Sequence, residues 1–505
     1  MWQMVWLVAV ELIRSEHVVQ LSDRRKDQGD KNQQMTYSAR MALIQDDSHL
    51  CSTSSFELFD TLPTQDVVED SRFVEILPLN SNPDGAAYDF YVPALTDEYL
   101  DVSSTRLYVK AQIVKADGTA IGADAAVAPV NDLFNSLWSN IEFSMNGRAI
   151  SQSNNMYAYT SMISNLIHNT EEAVKSEGSM RLFYKDTPNQ MDVVEPRKAN
   201  HEQLIPNHDI EATVAGNDTT YAVIAAATVV GNNGLYQRYL PVRAGKEFEM
   251  KGPLRVDFFE QLRYLPPGHD IKLRLHRNNA EFTLMSATAG QRIKLIDVRL
   301  LVRKVRPSPG VLLGHQDALK KMTAKFPIIR KECKEFAVAE NIRSVKKDHI
   351  FLGQLPKRVV IAMVDADAAA GLRTKNPFNF QHYNMNRIQL YADGTPVRSQ
   401  ELRPKIADGD YMETFETLTW DVDKEGGETS LIKLHEWDKG YALVAFDLTP
   451  DMNGDDHYSL IKHGNLRLEV EFGEALPRSI NILVYAEFEN VLETTADHNI
   501  LYDYT

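Results

Sequence analysis

The chain has 505 residues, of which 43% are hydrophobic and 25% charged, and its formal net charge is −16 at pH 7. These proportions are typical of a globular protein and exclude a collagen-like, fibrous or wholly disordered chain. Because the length exceeds the roughly 250–300 residues at which single cores stop growing, we expect two or more domains. The negative charge argues against general affinity for nucleic acid or anionic membranes.

The first forty residues differ in composition from the rest. Met1–Val10 is apolar, whereas residues 15–40 are polar, charged and rich in glutamine. The apolar run is too short to span a bilayer, lacks a basic region before it and has no small-residue cleavage site behind it. We therefore predict that residues 1–54 are an N-terminal extension, largely disordered, with Met41 as the true start and no membrane insertion. An arm that orders on assembly and a targeting or membrane-active segment are the alternatives.

Cysteine is rare in this chain. Cys51 and Cys333 are its two cysteines. Such a low number is typical of assembly in a reducing compartment, predicts no disulfide framework, and excludes a zinc site built from cysteines.

Two hairpin signals stand 247 residues apart. Asn146-Gly147 and Asp393-Gly394 each lie between apolar runs. A type I′ turn needs positive φ at both central residues, which Asn-Gly and Asp-Gly supply. We predict a tight hairpin turn at each position.

The segments around the two turns match in order. An apolar, β-branched run precedes each turn, a strand of alternating apolar and charged residues follows it, and another apolar strand comes last. In the first half these segments are 106–114, 271–276 and 296–302, and in the second they are 357–364, 466–472 and 480–488. Alternation marks a strand with one buried face. The sequence therefore predicts two copies of one β module.

Helical patterns are local. They cover residues 154–167, with an acidic continuation to 177, and residues 312–325. The first module also carries a long insertion at about 151–251. Long loops on a β scaffold usually carry the variable, partner-facing surface.

A basic segment joins the modules. Thirteen Lys or Arg residues stand against four Asp or Glu between Arg299 and Lys347, in a chain of negative net charge. Two interpretations remain open: a solvated linker helix flanked by strand ends, or a contact with a polyanion or an acidic partner protein. The candidate contact residues are Lys320, Lys321, Lys325, Arg330 and Lys331.

Catalytic and metal-binding signatures are missing from the sequence. It has no His-Glu-x-x-His, no Walker A loop, no Gly-x-Gly-x-x-Gly after a strand and no Gly-x-Ser-x-Gly elbow. His201 and His208 lie seven residues apart in a proline-bearing loop without fixed geometry, and the acidic turn at 451–456 lacks the Glu that closes an EF-hand. We expect no enzymatic activity, no metal and no cofactor.

Several phrases together resemble a known family. They are Ser55–Gln65, Leu182–Asp186, Gly353–Val360, Lys375–Phe380, Gly464–Glu469 and Tyr485–Leu492. In combination they are similar to the hexon-like major capsid proteins of adintoviruses and Polinton (Maverick) elements, from about Met41 to the C-terminus. That family resembles the double jelly-roll capsid lineage, which includes adenovirus hexon. The first forty residues depart from the family pattern.

The resemblance implies an all-β fold of two tandem eight-stranded antiparallel jelly rolls, with a few short helices in loops and linker. We expect a first roll at 55–306, a basic linker with a short helix at 307–344, a second roll at 345–494 and a tail at 495–505. Three copies would form a capsomer of six rolls with a pseudo-hexagonal outline. The N-terminus and linker are expected together at one pole, and the insertion toward the other.

The implied partners are further copies of the chain, first as a homotrimer and then as a capsid lattice, together with penton and minor capsid or cement proteins. Weak contact with packaged DNA is a further expectation. The expected location is the virion capsid, after synthesis and assembly in the host cytoplasm or nucleus.

Two other functions stay open. A cell-surface or adhesive β-sandwich protein predicts a signal peptide and disulfides, and the sequence shows neither. A host-domesticated copy that folds but no longer builds particles has the same sequence features as an active capsid protein.

Overall fold

The computed structural model describes residues 64–80, 85–123, 125–151, 154–196, 231–420, 422, 431–450 and 457–502. Every element described below belongs to the unit Asp66–Thr505.

The strands of the first half are β1 (Val68–Ile76), β2 (Ala87–Val92), β3 (Tyr99–Lys115), β4 (Val127–Pro129), β5 (Trp138–Met145), β6 (Arg148–Ala149), β7 (Glu247–Pro253), β8 (Ile271–Arg277), β9 (Leu284–Ser286) and β10 (Gln291–Pro307). Those of the second half are β11 (Ala324–Val338), β12 (Ser344–Lys347), β13 (Leu352–Gln354), β14 (Arg358–Asp365), β15 (Met385–Ala392), β16 (Thr395–Pro396), β17 (Val444–Asp447), β18 (His463–Phe472), β19 (Ile480–Thr494) and β20 (Ile500–Leu501).

The α-helices are α1 (Leu133–Ser136), α2 (Tyr157–His168), α3 (Glu171–Ala173), α4 (Asn233–Val242), α5 (Ala280–Thr283), α6 (Pro309–Leu319), α7 (Ala366–Ala369), α8 (Met412–Trp420) and α9 (Leu434–Trp437). Short helical turns of other types cover Val174–Gly178, Arg243–Gly245, Asp257–Phe259 and Ile406–Asp408.

Each half forms two antiparallel sheets with the same order of strands. In the first half the sheets run β1-β10-β3-β7 and β2-β8-β5-β6, and in the second they run β11-β19-β14-β17 and β12-β18-β15-β16. β13 also pairs with β18, β20 pairs with β19, and β4 pairs with β9 outside the four main sheets. Numbered within each half, both copies read 1-8-3-6 and 2-7-4-5, which is the connectivity of a jelly roll. The fold is a double jelly roll.

The strands follow the alternation in the sequence. Along β8, Ile271, Leu273 and Leu275 are buried while the lysine and arginine between them are exposed. Central strands of the second roll are covered more completely, since every residue of Arg358–Val364 is buried. A strand with covers on both faces has a continuous apolar run, whereas alternation marks a solvated face.

The helices and the linker differ from their predicted boundaries. The first predicted helix is found as α2, followed by α3 and the turn at 174–178, but the linker helix α6 ends at Leu319 rather than at Lys325. Residues 324–338 form β11 and pair with β19 along their whole length. The first strand of the second roll therefore lies inside the predicted 307–344 linker, because pairing with a distant strand fixes it as β structure.

The C-terminal tail also has structure beyond the predicted end of the second roll. β20 pairs with Glu493 and Thr494 of β19, and both Ile500 and Tyr502 are buried in the hydrophobic core of the first roll. Phe326 of β11 and Leu492 of β19 lie in that same core. The two rolls therefore share apolar contacts over a broad boundary.

Candidate interaction surfaces

The two hairpin turns have the same backbone conformation. Asn146 and Asp393 both have φ of 49°, and the glycines that follow, Gly147 and Gly394, have φ of 76° and 80°. These positive angles at two successive residues are those of a type I′ turn. β6 and β16 are the short return strands behind the turns.

Each turn is tied to the strand that enters the sheet beside it. The backbone N–H of Asn146 donates to the Asp270 carbonyl at 3.1 Å, and the N–H of Asp270 donates to Asn146 Oδ1 at 2.8 Å. In the second roll the N–H of Asp393 donates to the Asn465 carbonyl at 2.9 Å, and the N–H of Asn465 donates to Asp393 Oδ1 at 2.7 Å. The same reciprocal pair thus occurs at equivalent places in both rolls.

The first turn has an additional contact with the C-terminal tail. Asn146 Nδ2 donates to the carbonyl of His498 at 2.8 Å, and Arg148 donates to the carbonyls of Ile500 and Tyr502 at 2.7 and 2.6 Å. Since the tail follows the last strand of the second roll, these bonds hold one roll against the other.

The free edge of β11 is covered by the first roll. Three side chains form hydrogen bonds with its outward backbone groups. Arg263 donates to the Lys325 carbonyl at 2.6 Å, and Asn154 donates to the Cys333 carbonyl at 3.0 Å. Asp257 Oδ1 accepts from the Lys331 N–H at 3.3 Å. Phe258 also packs edge-on against Phe326, with ring centroids 5.4 Å apart. Edge strands carry unpaired backbone groups that proteins normally cover.

A buried polar cluster between the rolls centres on Glu487. Its carboxylate accepts hydrogen bonds from His168 at 2.8 Å, Arg358 at 3.0 Å and the Tyr485 hydroxyl at 2.6 Å. Burial by itself would raise its pKa, but the interactions with His168 and Arg358 hold the pKa of Glu487 well below its usual range. A buried charge of this kind is stable only with such partners.

A second carboxyl at the same boundary behaves in the opposite way. Burial raises the pKa of Asp257 to about 7, although the Lys331 ammonium opposes the shift. Lys331 instead binds Glu260, with Nζ and Oε2 2.5 Å apart. Asp257 is therefore poorly compensated when it is charged.

The described parts of the insertion, residues 154–196 and 231–251, include structural contacts between the rolls. Arg238 of α4 pairs with Asp186 at 2.7 Å, and both side chains are fully buried. The other Asp186 carboxylate oxygen accepts from Asn376 of the second roll at 2.9 Å, and the Tyr441 hydroxyl donates to the Asp186 carbonyl at 2.8 Å. Residues 197–230, the rest of the predicted partner-facing loop, lie outside the described residues.

The five basic candidates fall into two groups. Lys320 and Lys325 are exposed, with 70% and 61% of their side chains accessible, and Lys321 is exposed beside them. Arg330 is 6% exposed and lies over the Phe488 ring. Arg330 and Lys331 are therefore not part of an exposed basic surface, because burial and pairing with Glu332 and Glu260 place them inside the boundary between the rolls.

An apolar cavity of about 470 Å³ lies beside the exposed lysines. Its walls come from α6, the start of β1 and the loop before β8, and include Val68, Pro266, Val311, Leu319 and Phe326. No residue of α6 is buried. The linker helix forms one wall of the cavity.

Metal-binding clusters are not found within the described ranges. No group of three or more His, Cys, Asp or Glu residues there could hold a metal ion. His201, His208 and the turn at 451–456 lie outside those ranges. In the same part of the chain, no helix has the length and apolar character needed to cross a bilayer.

The sequence contained no clear signal for several of these contacts. The tail residues Ile500 and Tyr502, the covering residues Asp257 and Arg263, and the Asp186–Arg238 pair join segments far apart in the chain. One available signal was the apolar character of Phe326 and Ile328 within the basic linker, since alternate apolar residues predict a strand.

No protein-family model matches the chain. The uncharacterized protein F54H12.2 of Caenorhabditis elegans is 19% identical over 457 residues, which cover 87% of this chain and 99% of that protein.

Solved capsid structures share the fold at low sequence identity. A structure of the Sputnik virophage superposes with a TM-score of 0.55 at 12% identity, covering 90% of this chain and 93% of that one. The PBCV-1 virus capsid gives 0.52 at 12% identity, covering 88% and 99%. The mavirus major capsid protein gives 0.51 at 11% identity, covering 91% and 96%. These neighbours are double jelly-roll proteins, and the likeness extends over both rolls.

Proposed function

We propose that this chain is a structural protein, the major capsid protein of an icosahedral double-stranded DNA virus or virus-like mobile element. The single observation that carries the proposal is the pair of jelly rolls with identical strand order, which matches solved capsid proteins along about nine-tenths of the chain.

Three copies would form one capsomer. Two similar rolls in each chain give six similar rolls around a threefold axis, and a six-sided outline tiles a shell with little angular strain. A cyclic trimer needs two different surfaces that fit each other and close after three copies. We propose an obligate homotrimer, for which interfaces commonly bury about 2,000–5,000 Å².

The adintovirus or Polinton type is the finer part of the proposal. It rests on the six phrases that resemble that family, among them Leu182–Asp186, whose last residue accepts a hydrogen bond from Asn376 of the second roll. A relative encoded by a nematode, matched over nearly its whole length, fits an element carried by animal genomes.

The same nematode relative keeps one alternative open. A host-domesticated copy would retain the double jelly roll and the trimer surfaces only as far as its new role requires. An adhesive or receptor-binding protein without particle assembly is the remaining alternative, and neither would produce capsid-like particles.

Minor capsid, cement or penton proteins and packaged DNA are the proposed partners beyond the chain itself. The exposed Lys320, Lys321 and Lys325 supply the positive charge for an inner-face contact, beside the apolar cavity under α6. The proposed location is the capsid of the virion, after assembly in the host cytoplasm or nucleus.

Light scattering coupled to size exclusion, with negative-stain images of the main peak, tests the proposal on the full chain. We expect a mass three times the 57.2 kDa of one chain and a hexagonal outline. A well-folded monomer at all concentrations would contradict the capsomer and favour one of the alternatives.

A further inference from the structure

β1 and β11 occupy the same position in the two rolls but have different surroundings. Each is the first strand of its roll and the edge strand of the 1-8-3-6 sheet. The free edge of β11 is covered by Arg263, Asp257 and Asn154 of the first roll. The corresponding free edge of β1 has no such cover among the described residues.

The free edge of β1 is uncovered within the part of the chain that the structure describes. Between Glu69 and Ile76 the backbone bonds to β10 on one side, and no described group bonds to it on the other. Phe73 is 57% exposed, and Leu77 and Leu79 just beyond the strand are 64% and 70% exposed. An open edge with apolar side chains readily associates with another protein surface.

The segment of the first roll that covers β11 has an equivalent in the second roll, and this equivalent segment is the candidate for covering β1. Asp257, Phe258 and Arg263 lie between β7 and β8, the sixth and seventh strands of the first roll. The second roll has the equivalent segment between β17 and β18, of which residues 448–450 and 457–462 are described. Within it Tyr458, Leu460 and Ile461 are 44%, 86% and 55% exposed. These side chains have the apolar character needed to pack against Phe73.

We infer that the trimer contact joins β1 of one copy to the β17–β18 segment of the next copy. The inference rests on the proposed capsomer and names the two surfaces that form it. Within one chain, the first roll covers β11 of the second; between chains, the second roll covers β1 of the following copy. Every roll then has a covered first strand. The two surfaces are different, as a closed cyclic trimer requires.

Two variants of the full chain test the contact, one for each surface. Phe73→Glu places a charge on β1, and Leu460→Glu with Ile461→Glu places charges on the opposite surface. Each should reduce the mass in light scattering from three chains to one, because a charge buried without a partner opposes association. Leu372→Glu is the matched control, since Leu372 is 45% exposed and belongs to neither surface. It should remain trimeric.

Mixing the two monomeric variants tests the pairing of the surfaces. The Phe73→Glu chain keeps an intact β17–β18 segment, and the other variant keeps an intact β1, so one contact can form between them. An equimolar mixture should give a species of twice the chain mass, which neither variant forms alone. Circular dichroism and thermal melting of each variant show whether its fold is retained.

The outcomes separate this inference from the proposed function. If the wild-type chain is a monomer, the proposed capsomer is wrong. If the wild type is a trimer and folded Phe73→Glu and Leu460→Glu/Ile461→Glu variants remain trimeric, the capsomer stands and the contact lies elsewhere. If the mixture of folded variants stays monomeric, the two surfaces are not partners and the inference is overturned.

Discussion

The two jelly rolls share a strand order but not their surroundings. In the second roll the first strand, β11, is covered by side chains of the first roll, and its Phe326 lies in the first roll's core. In the first roll, β1 has an edge that no described residue covers, with an exposed Phe73. Duplication therefore repeats the fold of a module without repeating its contacts. The second roll depends on the first for coverage, whereas the first roll has surface left for a further partner.

The largest difference is expected between the two phenylalanines. Phe326→Ala should lower the free energy of unfolding by about 3–5 kcal/mol, because a buried ring and its contact with Phe258 are lost. Phe73→Ala should lower it by less than about 1 kcal/mol, as expected for an exposed side chain. Denaturant unfolding measures both losses. Each substitution is made in the Leu460→Glu/Ile461→Glu chain, which we expect to be monomeric, so that assembly does not contribute to the measured stability. Equal losses would show that β1 and β11 are equally covered within one chain.

The next effect concerns the carboxyl that covers β11. The pKa of Asp257 is raised to about 7 by burial, so its charged form destabilises the fold. The stability that the protonated Asp257 contributes to the wild-type fold is fully present below the ordinary pKa of a carboxyl, and it is lost as the pH rises through about 7. Asp257→Asn should thus match wild type near pH 4 and be more stable at pH 8, by up to about 4 kcal/mol.

Chemical denaturation at a series of pH values from 4 to 8 measures this difference. Wild-type and Asp257→Asn stabilities that change in parallel over that range would show that the carboxyl titrates normally at the boundary between the rolls.

A smaller difference is expected between the two hairpin turns. Asn146→Gly and Asp393→Gly retain a residue that tolerates positive φ but remove the side-chain acceptor, and loss of that hydrogen bond should lower the free energy of unfolding by about 1 kcal/mol in each turn. Asn146→Gly also removes the donor to His498 of the tail, so its total loss should be larger by about 1 kcal/mol. It should also speed proteolysis of residues 495–505. Equal costs in unfolding and equal tail cleavage would mean that the tail contact adds nothing.

The smallest effect on stability is expected at the exposed lysines. Lys320→Gln with Lys321→Gln should leave the melting temperature and the trimer unchanged, because exposed ion pairs contribute little. Binding of a labelled DNA duplex at low salt should weaken if these lysines contact the genome. Lys246→Gln with Lys251→Gln removes the same charge elsewhere on the first roll and serves as the control. Equal loss of DNA binding in both pairs would indicate a general charge effect.

Local sequence patterns were sufficient to predict several strands and both hairpin turns. Alternation along 271–276 and 466–472 predicted β8 and β18, and Asn146-Gly147 and Asp393-Gly394 predicted the turns, because side-chain period and backbone preference act over a few residues. The resemblance to capsid proteins then predicted that these strands form two tandem jelly rolls. Both depended on information that lies close together along the chain.

Which residues are covered depends on tertiary contacts that local sequence patterns do not show. Arg330 and Lys331 have the composition of a solvated basic linker, yet they lie inside the boundary between the rolls because Phe488 packs against Arg330 and Glu260 pairs with Lys331. Burial and ion pairing depend on neighbours that folding brings together over long separations. Local sequence patterns therefore predict the modules, while contacts between the modules decide which of their surfaces remain free to bind.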